Sequence, residues 1–125
     1  MNAMNLIYFD TVMDPIMLDI LEADGGFAVD KRGRHDDLEA NYEALRQAHV
    51  YQINSAKDEL PRPLWGEAPL FEQCPNLLML STSGAGYDVC DLEAATKAGV
   101  AVVNQAGGNK EGVAEHALAM MLTVA

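Results

Sequence analysis

The stretch that decides the fold is Asn76-Leu-Leu-Met-Leu-Ser-Thr-Ser-Gly-Ala-Gly-Tyr-Asp-Val-Cys-Asp-Leu-Glu-Ala-Ala-Thr-Lys-Ala-Gly-Val-Ala-Val-Val-Asn104. Leu77–Leu80 is a four-residue apolar run of the kind found in parallel strands buried on both faces. Ser83-Gly84-Ala85-Gly86 then breaks the chain. Asp91–Ala98 reads as a helix with an acidic N-cap and Gly99 at its exit. Val100–Val103 is a second buried strand. Strand, helix and strand in this order predict a parallel crossover.

The same alternation extends toward the N-terminus. Asn5–Phe9 reads as a short strand, bounded by Asp10 and Asp14-Pro15. Pro15 suits a first helical turn, and Ile16, Leu18, Ile20 and Leu21 continue a largely apolar helix that Gly25-Gly26 stops. Phe27–Val29 is a second short strand, followed by a polar turn over Asp30–Arg34. Asp36–Ala48 is a helix with Leu38, Tyr42 and Leu45 on its inner face, and Val50–Ile53 a third strand. Four prolines interrupt Asn54–Pro75, where only Leu70–Gln73 suggests a helical turn. Beyond the decisive stretch, Gln105–Gly108 is a linker and the chain is helical from Asn109 onward. An open α/β sheet, parallel and covered by helices, is the expected fold.

Composition narrows the function. Half of the 125 residues are hydrophobic, so a real core is possible. Eight Lys and Arg against nineteen Asp and Glu give a formal charge of −11. That balance argues against a nucleic-acid or membrane partner, because both need clustered positive charge. An anionic ligand must then be held by local dipoles or a few fixed cations against the overall field. Cys74 and Cys90 are too few and too far apart for a disulfide framework, and the start lacks a signal peptide. A cytoplasmic protein is expected. The last residues, Ala117–Ala125, are apolar on every helical face, which calls for burial against a following domain or a partner subunit.

The glycine turn is the first feature that could carry chemistry. Ligands of parallel α/β sheets bind beyond the carboxyl ends of the strands. Glycines there let backbone N–H groups approach an anion. The same turn also reads as a tight strand-to-helix connection without a ligand. It fails as a dinucleotide fingerprint. Val89 occupies the place of the third glycine, and the next strand ends in Asn104-Gln105, with no acidic ribose ligand.

The second feature is Asn109-Lys-Glu-Gly-Val-Ala-Glu-His116. Asn109 reads as a helix N-cap or, alternatively, as an amide reaching a ligand at the helix's positive end. Glu115 and His116 are neighbours pointing about 100° apart, which disfavours an acid/base pair. Ser83 lies outside a G-x-S-x-G elbow. His35, His49 and His116 lack metal-ligand spacing, and the methionines suit core filling.

As an ordered set, residues 76–104, Gly107-Gly108-Asn109 and Val113-Ala-Glu-His-Ala-Leu-Ala-Met-Met-Leu122 resemble the NAD-dependent D-2-hydroxyacid dehydrogenases. The first 75 residues fit that family only in their α/β alternation. The resemblance implies a flavodoxin-like substrate domain over residues 1–104. Residues 105–125 would then be the interdomain linker and the first helix leading into a Rossmann domain. It further implies that the N–H groups of Ala85 and Gly86 hold a substrate carboxylate. Asn109 would share that pocket, and Val113 would lie near the nicotinamide of NAD or NADP. Gly112 stands where the family often has Ser or Thr, which costs helix propensity.

The family's cofactor loop, substrate arginine, acid and catalytic histidine all lie downstream of the crossover helix. No catalytic residue is therefore expected within these 125 residues, and no metal site. The implied whole is a homodimeric oxidoreductase acting on a small 2-oxo or 2-hydroxy acid, with the isolated chain inactive. A different class stays open: a non-enzymatic anion-binding or assembly module built on the same fold.

Overall fold

A computed structural model describes residues 2–125. Five strands form one parallel sheet: β1 (Met4–Phe9), β2 (Phe27–Arg32), β3 (Val50–Ile53), β4 (Met79–Thr82) and β5 (Ala101–Val103), in the order β2-β1-β3-β4-β5. That order is the flavodoxin-like doubly wound arrangement. The helices are α1 (Ile16–Asp24), α2 (Leu38–Gln47), α3 (Ala68–Gln73), α4 (Leu92–Ala98) and α5 (Lys110–Val124).

The main core lies between one sheet face and the helices that follow β2, β3 and β4. Ile7, Phe9, Tyr51, Ile53 and Leu80 point into it from the strands, and Leu45, Leu70, Phe71 and Ala95 meet them from α2, α3 and α4. Phe9 and Tyr51 pack edge to face with centroids 5.6 Å apart, and the Tyr51 hydroxyl donates to the Leu64 carbonyl at 3.0 Å. A smaller cluster of Leu6, Tyr8 and Val50 occupies the opposite face beneath Leu18 and Leu21 of α1. Alternation along each strand sends successive side chains to these two clusters.

Local chemistry explains the helix ends. Asp37 caps α2 by accepting from Ala40 N–H at 3.0 Å, and Asp91 caps α4 by accepting from Ala94 N–H at 3.0 Å. Gly99 leaves α4 at φ 74°, a left-handed conformation that favours glycine. The expected cap and exit of α4 are both present.

β5, expected as a buried strand, is an edge strand with Ala101 and Val103 exposed, and three further expectations need correction. The polar segment after Val29 is not a turn from Asp30: β2 runs on to Arg32, paired residue by residue with β1 as far as Phe9↔Arg32. Asp30 and Arg32 alternate onto one face and pair at 2.8 Å, which suits an edge strand. Second, β4 begins at Met79, two residues later than the apolar run suggests, and ends in Ser81-Thr82. Leu77 is buried in the preceding turn and Leu78 is exposed, because pairing of Val50 with Met79 and Ile53 with Thr82 sets the register. Third, Leu38 lies on the outer side of α2. Asn41 takes the inner place beside Tyr42 and Leu45, donating to the Gly33 carbonyl at 3.0 Å.

The proline-rich segment holds short 3-10 turns at Lys57–Glu59 and Arg62–Leu64 and then α3, with Pro69 in its first turn. α5 stands apart from both clusters. None of its fifteen residues is buried.

Candidate functional site

The glycine turn leaves β4 at the carboxyl edge of the sheet. Ser83 N–H still donates to the Ile53 carbonyl, continuing the β3–β4 ladder. A Cβ on Gly84 would stand 3.1 Å from Ser55 Oγ, so the loops after β3 and β4 approach closely there and a side chain would fit only if Ser55 shifted by a few tenths of an ångström. Gly86 is different: a Cβ there would meet nothing within 4 Å, and its φ is not left-handed. Neither space nor backbone conformation within the described chain requires glycine at 86.

Two of the loop's carbonyls are pinned. The Gly84 oxygen accepts from the Thr82 hydroxyl at 2.9 Å and from Gln105 N–H at 3.0 Å. The Ala85 oxygen accepts from Asn104 Nδ2 at 2.9 Å. Among the described residues, by contrast, no acceptor pairs with the N–H groups of Gly84, Ala85, Gly86 or Tyr87. With the Gly84 and Ala85 carbonyls bonded, the neighbouring N–H groups are free to donate to a ligand. Residues 83–88 include no Lys or Arg, so the attraction rests on dipoles alone.

Val89, where a dinucleotide loop would need its third glycine, is fully buried in the core. Ser83 has neither an elbow nor a histidine partner.

Asn109 precedes α5 with φ −116° and ψ 11°, and its side chain makes no capping hydrogen bond. The reading of Asn109 as a side-chain cap is therefore corrected. Its amide is exposed, and with Gly112, Val113, His116 and Met120 it borders an open depression of about 540 Å³ on one face of α5. Asn109 and Val113 are brought together there. Ala85 and Gly86 do not line that depression, and no hydrogen bond joins them to Asn109. Asn104 and Ala106, five and three residues before Asn109, are what connect the helix to the loop. Spacing gives no signal for Thr82 or Asn104. An Asn at a strand end next to a glycine loop is the hint that was available.

His116 and Glu115 are exposed on α5, and neither forms an ion pair among the described residues. Among the described residues no group of three His, Cys, Asp or Glu could hold a metal, and no helix is long and apolar enough to cross a membrane. Cys74 and Cys90 are free and buried, and burial pushes both thiols up to about 11. Thiols so placed are poor nucleophiles.

The sheet order is that of a doubly wound α/β domain, and comparison with known proteins supplies the class. Residues 6–123 match the D-isomer specific 2-hydroxyacid dehydrogenase catalytic domain, and the chain belongs to that family. Over 59 residues, 47% of its length, it is 42% identical to a D-3-phosphoglycerate dehydrogenase of Archaeoglobus fulgidus. Over 104 residues, 83% of its length, it is 29% identical to a hydroxypyruvate reductase of Blautia hydrogenotrophica. These matches span 11% and 30% of the two relatives, so the chain covers well under half of either. A 2-hydroxyacid dehydrogenase from Ketogulonicigenium vulgare superposes with TM-score 0.72 at 26% identity, over 98% of this chain and 36% of that one. The 3-phosphoglycerate dehydrogenase of Entamoeba histolytica, solved with NAD+ bound, shares the fold at TM-score 0.72 and 23% identity, over 95% and 38%.

Proposed function

We propose that residues 1–104 are the substrate domain of an NAD- or NADP-dependent enzyme interconverting a 2-oxo acid and a D-2-hydroxy acid. Residues 105–125 lead from that domain into the nucleotide-binding domain. The observation that carries the reading is the loop Gly84–Tyr87, whose Gly84 and Ala85 carbonyls are hydrogen-bonded and whose N–H groups have no acceptor among the described residues. The Ala85 and Gly86 N–H groups would hold the substrate carboxylate, and the uncommitted amide of Asn109 would close on it from α5.

The described residues fit a nicotinamide cofactor only at its edge. Val113 offers an exposed apolar contact on α5, and the chain's one strand-turn-helix glycine pair lacks a dinucleotide fingerprint. When bound, the cofactor supplies or accepts the hydride. This chain's residues orient the carboxylate so that the neighbouring carbon is presented for transfer. The complete enzyme would be a homodimer, for which the exposed apolar face of α5 is supporting ground. Free, buried cysteines support a reducing, cytoplasmic setting.

Titration of the ¹⁵N-labelled chain with pyruvate tests the reading by amide chemical shifts. Perturbations centred on Ala85, Gly86 and Tyr87, weakened by Asn109→Ala, are the expected result. Binding that maps elsewhere, or none with pyruvate, glyoxylate or hydroxypyruvate, overturns it. Mixed with NADH and a 2-oxo acid, the 125-residue chain should show no turnover. The alternative of a non-enzymatic module draws on the same loop, and it gains if carboxylates bind but no enzyme is encoded around it.

A further inference from the structure

The loop and the linker are joined at two points, and the side chain that makes one of them also bonds within the linker. Asn104 Nδ2 donates to the Ala85 carbonyl at 2.9 Å, while its Oδ1 accepts from Ala106 N–H at 3.3 Å. Beside it, Gln105 N–H donates to the Gly84 carbonyl at 3.0 Å. Gln105–Gly108 then closes a turn, with Gly108 N–H on the Gln105 carbonyl at 3.0 Å and Gly107 at φ 80°. α5 begins two residues later.

We propose that Asn104 is a positioning residue that couples the carboxylate loop to the crossover linker. The inference rests on the reading of Ala85 and Gly86 as carboxylate donors. A peptide unit is rigid and planar, so the direction of the Ala85 carbonyl fixes that of the Gly86 N–H. Asn104 holds that carbonyl with one end of its amide and the linker with the other. An anion drawing the Gly86 N–H toward itself therefore tightens the Asn104 clasp and favours the linker conformation in which Ala106 is bound. A linker held in that conformation preorganises the donors for the anion. The coupling is reciprocal, as any equilibrium coupling between two sites must be. Asn104 touches no reacting atom in this scheme, and spacing alone gives it no role beyond ending β5.

The test is pyruvate titration of the ¹⁵N-labelled chain, following the amides of Ala85, Gly86 and Ala106 together with the Asn104 side-chain NH₂. In the unaltered chain all four should move with one midpoint. In Asn104→Ala the Ala85 and Gly86 responses should persist with a midpoint raised about three- to tenfold, the worth of one net hydrogen bond, while the Ala106 response disappears. Asn104→Asp keeps the acceptor for Ala106 but faces a carboxylate to the Ala85 carbonyl, and should uncouple equally. Unchanged Tyr51 and Leu80 amides certify folding. A merely structural Asn104 would lower stability and leave the pyruvate midpoint alone, which overturns the proposal. So does movement of Ala85 and Gly86 in the unaltered chain while Asn104 and Ala106 stay still, a result that needs no variant and leaves the carboxylate reading standing. Silence at Ala85 and Gly86 overturns that reading and the coupling with it.

Discussion

The hydroxyl of Thr82, fully buried, donates to the carbonyl of Gly84 at 2.9 Å. This bond reaches from the last residue of β4 into the glycine loop and turns a carbonyl toward the protein, leaving the following N–H outward. Thr82→Val keeps the shape and removes the hydroxyl. It should cost about 0.5–1.5 kcal/mol of stability and weaken carboxylate binding several-fold. Thr82→Ser keeps the hydroxyl and loses a methyl in the core, so it should cost about 1 kcal/mol with binding retained. Urea unfolding and the pyruvate titration, run on both variants, separate the effects. Equal binding by the two would show that the clasp does not shape the loop.

Asn109 separates a cap from a ligand contact. Its side chain makes no capping bond, so Asn109→Ala should change stability by less than about 0.5 kcal/mol, whereas loss of a working N-cap costs about 1 kcal/mol. Carboxylate binding should nevertheless weaken. In a complete enzyme the loss should appear in kcat/KM for the 2-oxo acid, about tenfold for one lost hydrogen bond to a charged group. A melting temperature lowered by several degrees with binding intact would restore the cap.

Two glycines outside the loop give opposite expectations. Gly66 bridges to Cys90, with its N–H on the Val89 carbonyl at 2.9 Å, and a Cβ there would collide with Leu80 Cδ1. Leu80 is fully buried, so Gly66→Ala should destabilise by about 1–3 kcal/mol. Gly112 is inside α5, where a Cβ meets nothing within 4 Å. Gly112→Ala should raise the helicity of α5, with a gain of about 0.5–1 kcal/mol. Circular dichroism and urea midpoints decide both.

Elements with a strong period and chemical punctuation were legible in the sequence. Asp91, Gly99 and the apolar positions between them delimit α4 within a residue, because cap and exit act locally. Boundaries set by partners were not. β2 runs to Arg32 only because β1 pairs along its full length, and β4 takes in Ser81-Thr82 only because β3 fixes its register. Leu38 and Asn41 exchange inner and outer places because a buried amide that reaches Gly33 competes with leucine for the inner face. At the candidate site, composition located the loop. The direction of its amides depends on Thr82, Asn104 and Gln105, and hydrogen bonds across such distances leave no periodic trace in a sequence.

Burial pushes the thiols of Cys74 and Cys90 from 9.0 to about 11. At pH 8 the native thiolate fraction is about one in a thousand, so a thiol reagent should react only as fast as the chain opens. The same shift sets an alkaline limit. A folded pKa raised above the unfolded one contributes stability that is complete below pH 9 and is lost as pH rises through 11. Tyr51, fully buried and raised well above 10.0, acts in the same direction at the upper end. The melting temperature should fall steadily between pH 9 and 11, and Cys74→Ala with Cys90→Ala should flatten the first part of the decline. A flat profile in the unaltered chain would show that neither thiol stays protonated in the fold.

α5 presents Val113, Leu118, Met121 and Leu122 to solvent, each more than half exposed, and none of its residues is buried. The last turns of this helix, apolar on every face from Ala117, gain more from contact with another apolar surface than from water. The isolated chain should therefore self-associate, and sedimentation velocity over a range reaching about 100 µM should show it. A second exposed patch, Ile16 and Ile20 on α1, competes for the same explanation. Charge substitutions discriminate. Leu118→Glu with Met121→Lys should return the chain to monomer without moving the core's urea midpoint, since neither residue contacts the two clusters. Ile16→Glu with Ile20→Lys should leave association in place. The reverse pattern would assign the contact to α1 and free α5 from any role in assembly of this chain.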